Sequence, residues 1–388
     1  MFKMIIVFCA DRSFPEIGGM ESHGWYFLRY FLEHQDYSLV KVGKNQKSEN
    51  ECSIGGESKK VQRIEWIGLK TLLEQYWPGR PVVVFFNSGR WIEELASIRS
   101  IFPEAALLQR TGGNDIIKAS LSDDTTSHQE RQQYWIDTLN DNIDFVISNS
   151  HFTSGRLAKL GLRSERIKTV IGGVDSAGCL RVMSSRLENR NNLFKDKASQ
   201  VWVGASGRAV DFKNLSVAVE AIAILQKKTS HLNFAFSGDG PLLEQLKIDS
   251  QRSLSKGSFQ FLGNLTPLEN LSFLSACDVV VSPSRDVVRE VPSGSYVHTE
   301  TMGRTILEAA SCGTPVVAGM VGGVPEIFPR DYGVMIANSS TEEVCDSLMN
   351  CLKNGRPGVE QVRALQKKFS WKAVFDSYEK VWRAITSQ

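Results

Sequence analysis

The sequence predicts an α/β protein built from two parallel-sheet halves, and three observations lead there. Short apolar runs alternate with amphipathic helical patterns along the chain, the arrangement that winds a parallel sheet on both faces. Several of those runs end in glycine loops, Gly112-Gly113, Gly207, Gly238 and Gly263 among them. Open α/β sheets carry their ligands on such loops, at the carboxyl ends of the strands. A polar stretch, Ser184 to Ser199, rich in Asn, Arg, Ser and Lys, then separates two similar halves. With 388 residues, two domains of ordinary size are expected. The divisions are drawn at 1–180, 181–368 and a last helical segment over 369–388.

Composition narrows the class. An apolar fraction of 42%, a charged fraction of 23% and a net charge of +2 describe a globular chain and give no case for nucleic acid. The seven cysteines are scattered and several stand in apolar runs, so buried free thiols in a reducing compartment are expected, without disulfides or a zinc site. No run of about 18 apolar residues occurs. The apolar start lacks the layout of a cleavable signal and reads as the first strand.

In order, Met4 to Cys9 is the first strand, followed by Gly18-Gly19 and a helix over Ser22 to Glu33 with Trp25, Leu28 and Leu32 at core-facing spacing. Gly18 and Gly19 are either a ligand loop or only a tight turn. Segment 44–60 is polar and reads as a mobile loop. Pro81 to Phe86 and Ala105 to Leu108 are further strands. The second runs into Gln109, Arg110, Thr111, the Gly112-Gly113 pair, Asn114 and Asp115, a polar loop that points toward a crevice. Asp115 either serves chemistry there or caps the next helix. His128 lies in a polar segment and reads as an exposed loop residue. Phe145 to Ser148 is a strand, and Ser150 or Thr153 caps the helix after it.

The second half restarts at Val201 to Gly204. Ser206, Gly207, Arg208, Lys213 and Asn214 precede a helix over Ser216 to Lys227, with two cations five residues apart straddling a loop-to-helix turn. An arginine fork and a lysine point charge so placed converge on a pyrophosphate, where an ordinary solvated pair is the bland alternative. Phe234 to Ser237 ends at Gly238, and Phe261-Leu262 at Gly263. Asp278 to Val281 is the strand before Ser282, Pro283 and Ser284. Then comes a charged insertion, Arg285 to Thr299, read as a lid, a segment that shapes what enters a site, or a surface loop. Gly303 opens a helix over Arg304 to Cys312 that stops at Gly313, and Pro315 to Ala318 is a buried strand before the Gly322-Gly323 loop. Such loops bring backbone N–H groups and a helix N-terminus to one sheet edge, where an anion binds. The tail from Phe369 to Trp382 is an amphipathic helix.

Glu300 and Glu308, eight residues apart, with Gly303, Gly313, Pro315 and Gly322-Gly323, resemble the donor-site signature of the family 4 retaining glycosyltransferases, group 1, of GT-B fold. The resemblance is dense over 201–330 and thin before 150. It implies two Rossmann-like domains facing a cleft, the first for the acceptor and the second for a nucleotide-sugar donor, with the C-terminal helix crossing back to the first. The Arg208 and Lys213 spacing matches the family's diphosphate clamp, with Asn214 and Gly207 beside it. Glu308 would bind ribose hydroxyls, and Glu300, counted with Asp115, Arg208 and Lys213 as catalytic, would hold sugar hydroxyls or face the reacting carbon, a nucleophile's part being left open. Met302, Gly303, Arg304 and Thr305 at the helix opening and Gly238 on its βα loop would bind the donor, Gly18 and Gly19 would lie near the donor phosphate and the acceptor, and Leu262 and Gly263 would flank the base. Many members carry a histidine after the strand that ends near Leu108. This chain has none there, and Asp115 is the nearest charged candidate.

The activity so implied is retaining, metal-independent transfer of a hexose or N-acetylhexosamine from a nucleotide diphosphate sugar, with UDP-sugar favoured, and no cofactor beyond the donor. The acceptor would be a hydroxyl on a glycan, a lipid-linked envelope precursor or a small molecule such as an aminocyclitol. The location implied is cytoplasmic, with peripheral contact to the inner face of the membrane left open. Rival expectations are a nucleotide-sugar epimerase, a phosphorylase, for which the cofactor-lysine motif is missing, and a non-catalytic scaffold, which should have lost Arg208, Lys213 or Glu308.

Overall fold

A computed structural model describes residues 4–10, 19–43, 49–54, 57–65, 69, 71, 79–119, 128–229, 231–291 and 294–386. Two compact units emerge. One comprises Met1–Ile171, Glu290–Tyr296 and Lys372–Gln388, and the other Gly172–Arg289 and Val297–Trp371.

The first unit is organised on β1 (Met4–Cys9), whose Ile5 to Cys9 are wholly buried. A strand covered on both faces reads as a continuous apolar run. Around it stand β2 (Tyr37–Gly43), β3 (Glu49–Ile54), β4 (Glu57–Glu65), β5 (Val82–Phe86), β6 (Ala106–Thr111), β7 (Phe145–Ser148) and β8 (Ile167–Thr169). Their order is β3-β4-β2-β1-β5-β6-β7-β8. The edge strand β3 runs antiparallel to β4, so part of the segment expected to be a loop over 44–60 is a strand pair. Residues 44–48 lie outside the described residues. The helix Gly19–Glu33 begins earlier than expected and buries His23, Phe27, Leu28 and Phe31, while Trp25 and Leu32 are only half-buried. The reason is the helix Trp371–Thr386, which packs on that face. Phe375 and Trp382 meet Phe27 and Phe31 at ring separations of 5.0–6.4 Å. Tyr30 and Tyr37 donate to Asp376 and Glu379, each at 2.6 Å.

The second unit is built on β9 (Val201–Ser206), β10 (Leu232–Ser237), β11 (Phe259–Phe261), β12 (Val279–Ser282), β15 (Val316–Gly319) and β16 (Gly333–Ile336). All its pairings are parallel, in the order β11-β10-β9-β12-β15-β16. The chain leaves β9 in one direction and returns on its other side through β12. That is a Rossmann-type order, with its switch point at the carboxyl ends of β9 and β12. The insertion 285–299 forms a hairpin of β13 (Val287–Val291) and β14 (Gly294–His298).

The polar stretch Ser184–Ser199 is not a linker. It carries the helix Arg186–Phe194, whose Arg190 is buried. Arg190 and Arg186 pair with Asp278 at 3.1 and 2.9 Å, and Phe194 stacks on Trp202 at 4.0 Å. Polar composition misleads here because the cations are answered inside the fold. Burial and the neighbouring Arg186 also lower the Arg356 guanidinium to about 10; Arg356 donates to the Cys312 carbonyl at 2.8 Å.

Candidate functional site

The site in the second unit lies at the carboxyl edge of its sheet, where three successive βα loops are laced together. Gly207 N–H donates to the Ser237 carbonyl at 2.9 Å, and Gly238 N–H to the Gly263 carbonyl at 2.8 Å. Gly238 takes φ +134°, and a Cβ there would stand 2.0 Å from the Gly207 carbonyl oxygen, so only glycine fits. Leu262, half-buried, donates its N–H to Phe236 at 2.9 Å. Gly263 opens onto free space.

The loop after β9 carries the two cations. Arg208 is exposed and has no hydrogen-bond or ion-pair partner among the described residues. Lys213 ends a short 3-10 turn, Asp211–Lys213, and Asn214, in the left-handed region at φ 52°, leads into the helix Leu215–Gln226. That helix starts one residue before the expected Ser216. The Lys213 ammonium makes an ion pair with Glu300 in which both side chains are about 15% exposed.

Glu300 is gripped from two more directions. Its other carboxylate oxygen accepts the Gly303 N–H at 3.1 Å. Its carbonyl oxygen accepts the Gly323 N–H at 3.1 Å, and a Cβ on Gly322 would come within 2.0 Å of it. The second glycine loop therefore serves as a backstop for Glu300. Gly303, at φ +85°, caps the helix Arg304–Ser311, with Met302 buried beneath and Thr305 in the first turn. A Cβ on Gly207 would lie 3.9 Å from the Thr305 hydroxyl, so the β9 loop and this helix start stand side by side.

Glu308 lies in the second turn of that helix. Its carboxylate meets Arg304 Nε at 3.2 Å and accepts from Asn270 Nδ2 at 3.4 Å. Burial pushes its carboxyl above the ordinary glutamate range, against the opposing pull of Arg304 and the Asn270 amide. Asn270 in turn accepts from the Ser206 and Ser237 hydroxyls at 2.8 and 2.9 Å. Sequence reasoning missed Ser206, Ser237 and Asn270 as supports of Glu308. The one signal was that β9 and β10 both end in Ser-Gly.

In the first unit, Asp115 sits in the first turn of the helix Asn114–Ala119. One of its oxygens accepts the Gly89 N–H at 2.8 Å and the other the Thr111 hydroxyl at 2.5 Å. It thus ties together the loops after β5 and β6. Gly19 starts the first helix with open space at its Cβ position, whereas Gly18 lies outside the described residues. His128 is the first residue of the helix His128–Asn142, not part of a loop. Ser150 caps the next helix, accepting the Thr153 N–H. No described helix is long and apolar enough to cross a membrane.

Comparison with known proteins places this geometry. The family model described as glycosyl transferases group 1 matches residues 185–369. A human subunit of phosphatidylinositol N-acetylglucosaminyltransferase is 28% identical over 187 residues, which is 46% of this chain and 35% of that protein. This chain therefore matches only about a third of that relative's length. Its counterpart from Arabidopsis thaliana is 22% identical over 98% of this chain and 82% of its own. Among solved structures, the Anabaena protein HepE in complex with UDP and glucose superposes with a TM-score of 0.71 at 17% identity, covering 97% of this chain and 98% of its own.

Proposed function

We propose that this chain, which has the GT-B fold and matches the glycosyl transferases group 1 model over residues 185–369, moves a sugar from a nucleotide diphosphate sugar to a hydroxyl acceptor with retention at the anomeric carbon. The observation that carries this reading is the approach of the Gly207 loop to the start of the helix Arg304–Ser311. Lys213, Glu300 and the Gly303 amide meet there, Arg208 follows Gly207 on the same loop, and Glu308 lies in the second turn of the helix. A diphosphate seated there would meet a free guanidinium, an ammonium and a helix N-terminus, all stabilising the charge that grows as the sugar–phosphate bond breaks. Metal-independence follows as part of the proposal, since these groups take over the charge neutralisation.

Roles divide by position. Arg208 and Lys213 hold the leaving diphosphate. Glu308 accepts the ribose hydroxyls, and Gly238, Leu262 and Gly263 border the base. Glu300 faces the sugar. Its two carboxylate oxygens are already engaged by Lys213 and Gly303, which favours a binding and orienting role over attack on the sugar. The acceptor oxygen then bonds the anomeric carbon on the face the diphosphate leaves, and its proton passes to the departing phosphate oxygen. Asp115, whose oxygens bind two loops of the first unit, is read as shaping the acceptor side.

UDP is the favoured nucleotide, in keeping with the UDP held by HepE, and N-acetylglucosamine or another hexose the favoured sugar. The human relative's name, which gives phosphatidylinositol as what its enzyme glycosylates, supports a lipid-linked glycoconjugate acceptor. The test is release of nucleoside diphosphate from a panel of UDP-, GDP- and ADP-sugars, with and without EDTA. One donor should be consumed, at an unchanged rate in EDTA. Inertness toward the whole panel would overturn the reading, and loss of activity in EDTA would overturn its metal-independent part.

A further inference from the structure

We infer that the hairpin β13–β14 holds the Lys213 turn in its working position and that Arg289 is its principal positioning residue; this rests on the donor-site reading above. Three hairpin-segment residues contact the two residues immediately before Lys213. Arg285 N–H donates to the Phe212 carbonyl at 2.8 Å. The His298 ring lies against the Phe212 ring at 4.3 Å and 34°. Arg289 Nη2 pairs with Asp211 Oδ2 at 2.5 Å. The second Asp211 oxygen, Oδ1, accepts the Phe212 N–H at 2.8 Å, and the Asp211 carbonyl accepts the Asn214 N–H at 3.0 Å. Asp211 therefore closes the turn from inside while Arg289 fixes it from the hairpin.

A lysine on an unsupported loop would lose loop and side-chain freedom each time a diphosphate docked, and affinity would fall by that entropy. Support from behind removes part of this loss before binding. The same hairpin runs directly into Thr299 and Glu300, so one segment braces the turn bearing Lys213 and delivers the carboxylate that Lys213 pairs with. The insertion thus positions the clamp as well as covering the surface.

The experiment measures binding of UDP, GDP and ADP, and of uridine, guanosine and adenosine, to the full chain by titration calorimetry. Variants are Arg289→Ala, Arg289→Lys, His298→Ala, and Arg289→Ala combined with His298→Ala. Arg289 and Asp211 are partly exposed, 43% and 30%, so Arg289→Ala alone should weaken the preferred diphosphate about threefold. The combined variant should weaken it about tenfold, with the matching nucleoside unchanged. Arg289→Lys, which keeps a cation facing Asp211, should recover much of the Arg289→Ala loss. The hairpin role is overturned, with the donor site intact, if the combined variant binds diphosphate as the wild type does. Equal weakening of diphosphate and nucleoside also overturns it, since that reports general disruption. Failure of the wild-type protein to bind any of the three diphosphates would overturn the donor-site reading and this inference together.

Discussion

Lys213 and Gly303 answer the charge of Glu300, while Glu308, eight residues on, is half-buried and desolvation there pushes its carboxyl above the ordinary glutamate range. The two should fail differently. Glu300→Gln removes the anion that competes with phosphate for Lys213, so UDP should bind more tightly while kcat falls. Titration with UDP beside steady-state kinetics checks this, and weaker UDP binding would count against it. Glu308→Gln should mainly raise the donor KM. The direction of the Glu308 shift also sets a pH dependence. The folded protein keeps this proton to a higher pH than the unfolded chain, so the group's contribution to stability falls as pH rises from about 4.5 through its folded value. Ribose binding runs the other way, because the carboxylate is the better acceptor. UDP affinity should rise with pH over that window, and the difference between wild type and Glu308→Gln should carry the rise. No such difference would remove Glu308 from the ribose.

At the scale of elements, the central strands of both sheets were legible because a buried parallel strand has to be apolar on both faces, whereas β2, β8 and β16 went unread and β3 with part of β4 was read as a loop. Met4–Cys9 and Phe145–Ser148 are read from the sequence to the residue. The helix opening at Gly303 was legible from its glycine and its stop at Gly313, which takes φ +69°. The helix Arg186–Phe194 was not. Its Arg, Asn and Glu content looks solvated, and no local signal says that Asp278 waits for Arg190 and Arg186. Nor could spacing say that Asp115 would be taken up by Gly89 and Thr111, or that Arg304 would turn toward Glu308. Arg190→Ala should cost about 2–3 kcal/mol in urea unfolding, because three backbone carbonyls lose a buried donor and Asp278 loses one of two cations. A loss under about 0.5 kcal/mol would mean the helix is docked by Phe194 alone. Gly322→Ala should lower turnover by displacing the Glu300 carbonyl that its Cβ would strike.

At the scale of the whole molecule, the first unit needs residues from both ends of the chain. The helix Trp371–Thr386 supplies Phe375, Tyr378 and Trp382, all buried with Phe27 and Phe31, and His23 bonds the Tyr378 hydroxyl at 3.1 Å. Trp382→Ala should cost about 3–5 kcal/mol, with hydrogen exchange rising in β1 and β2 and unchanged in β9 and β10. Exchange rising equally in both sheets would contradict that division. The second unit carries the central claim, that its sheet edge holds a nucleotide-sugar diphosphate between Arg208, Lys213 and the Gly303 helix start. Nucleoside diphosphate release, followed with saturating donor for wild type and Lys213→Ala, tests it most directly. The wild type should turn over, and the variant should be slower by roughly 10²-fold with its thermal unfolding little changed, as expected when one cation facing a leaving group is lost. A folded Lys213→Ala protein that releases nucleotide at the wild-type rate would contradict the assignment.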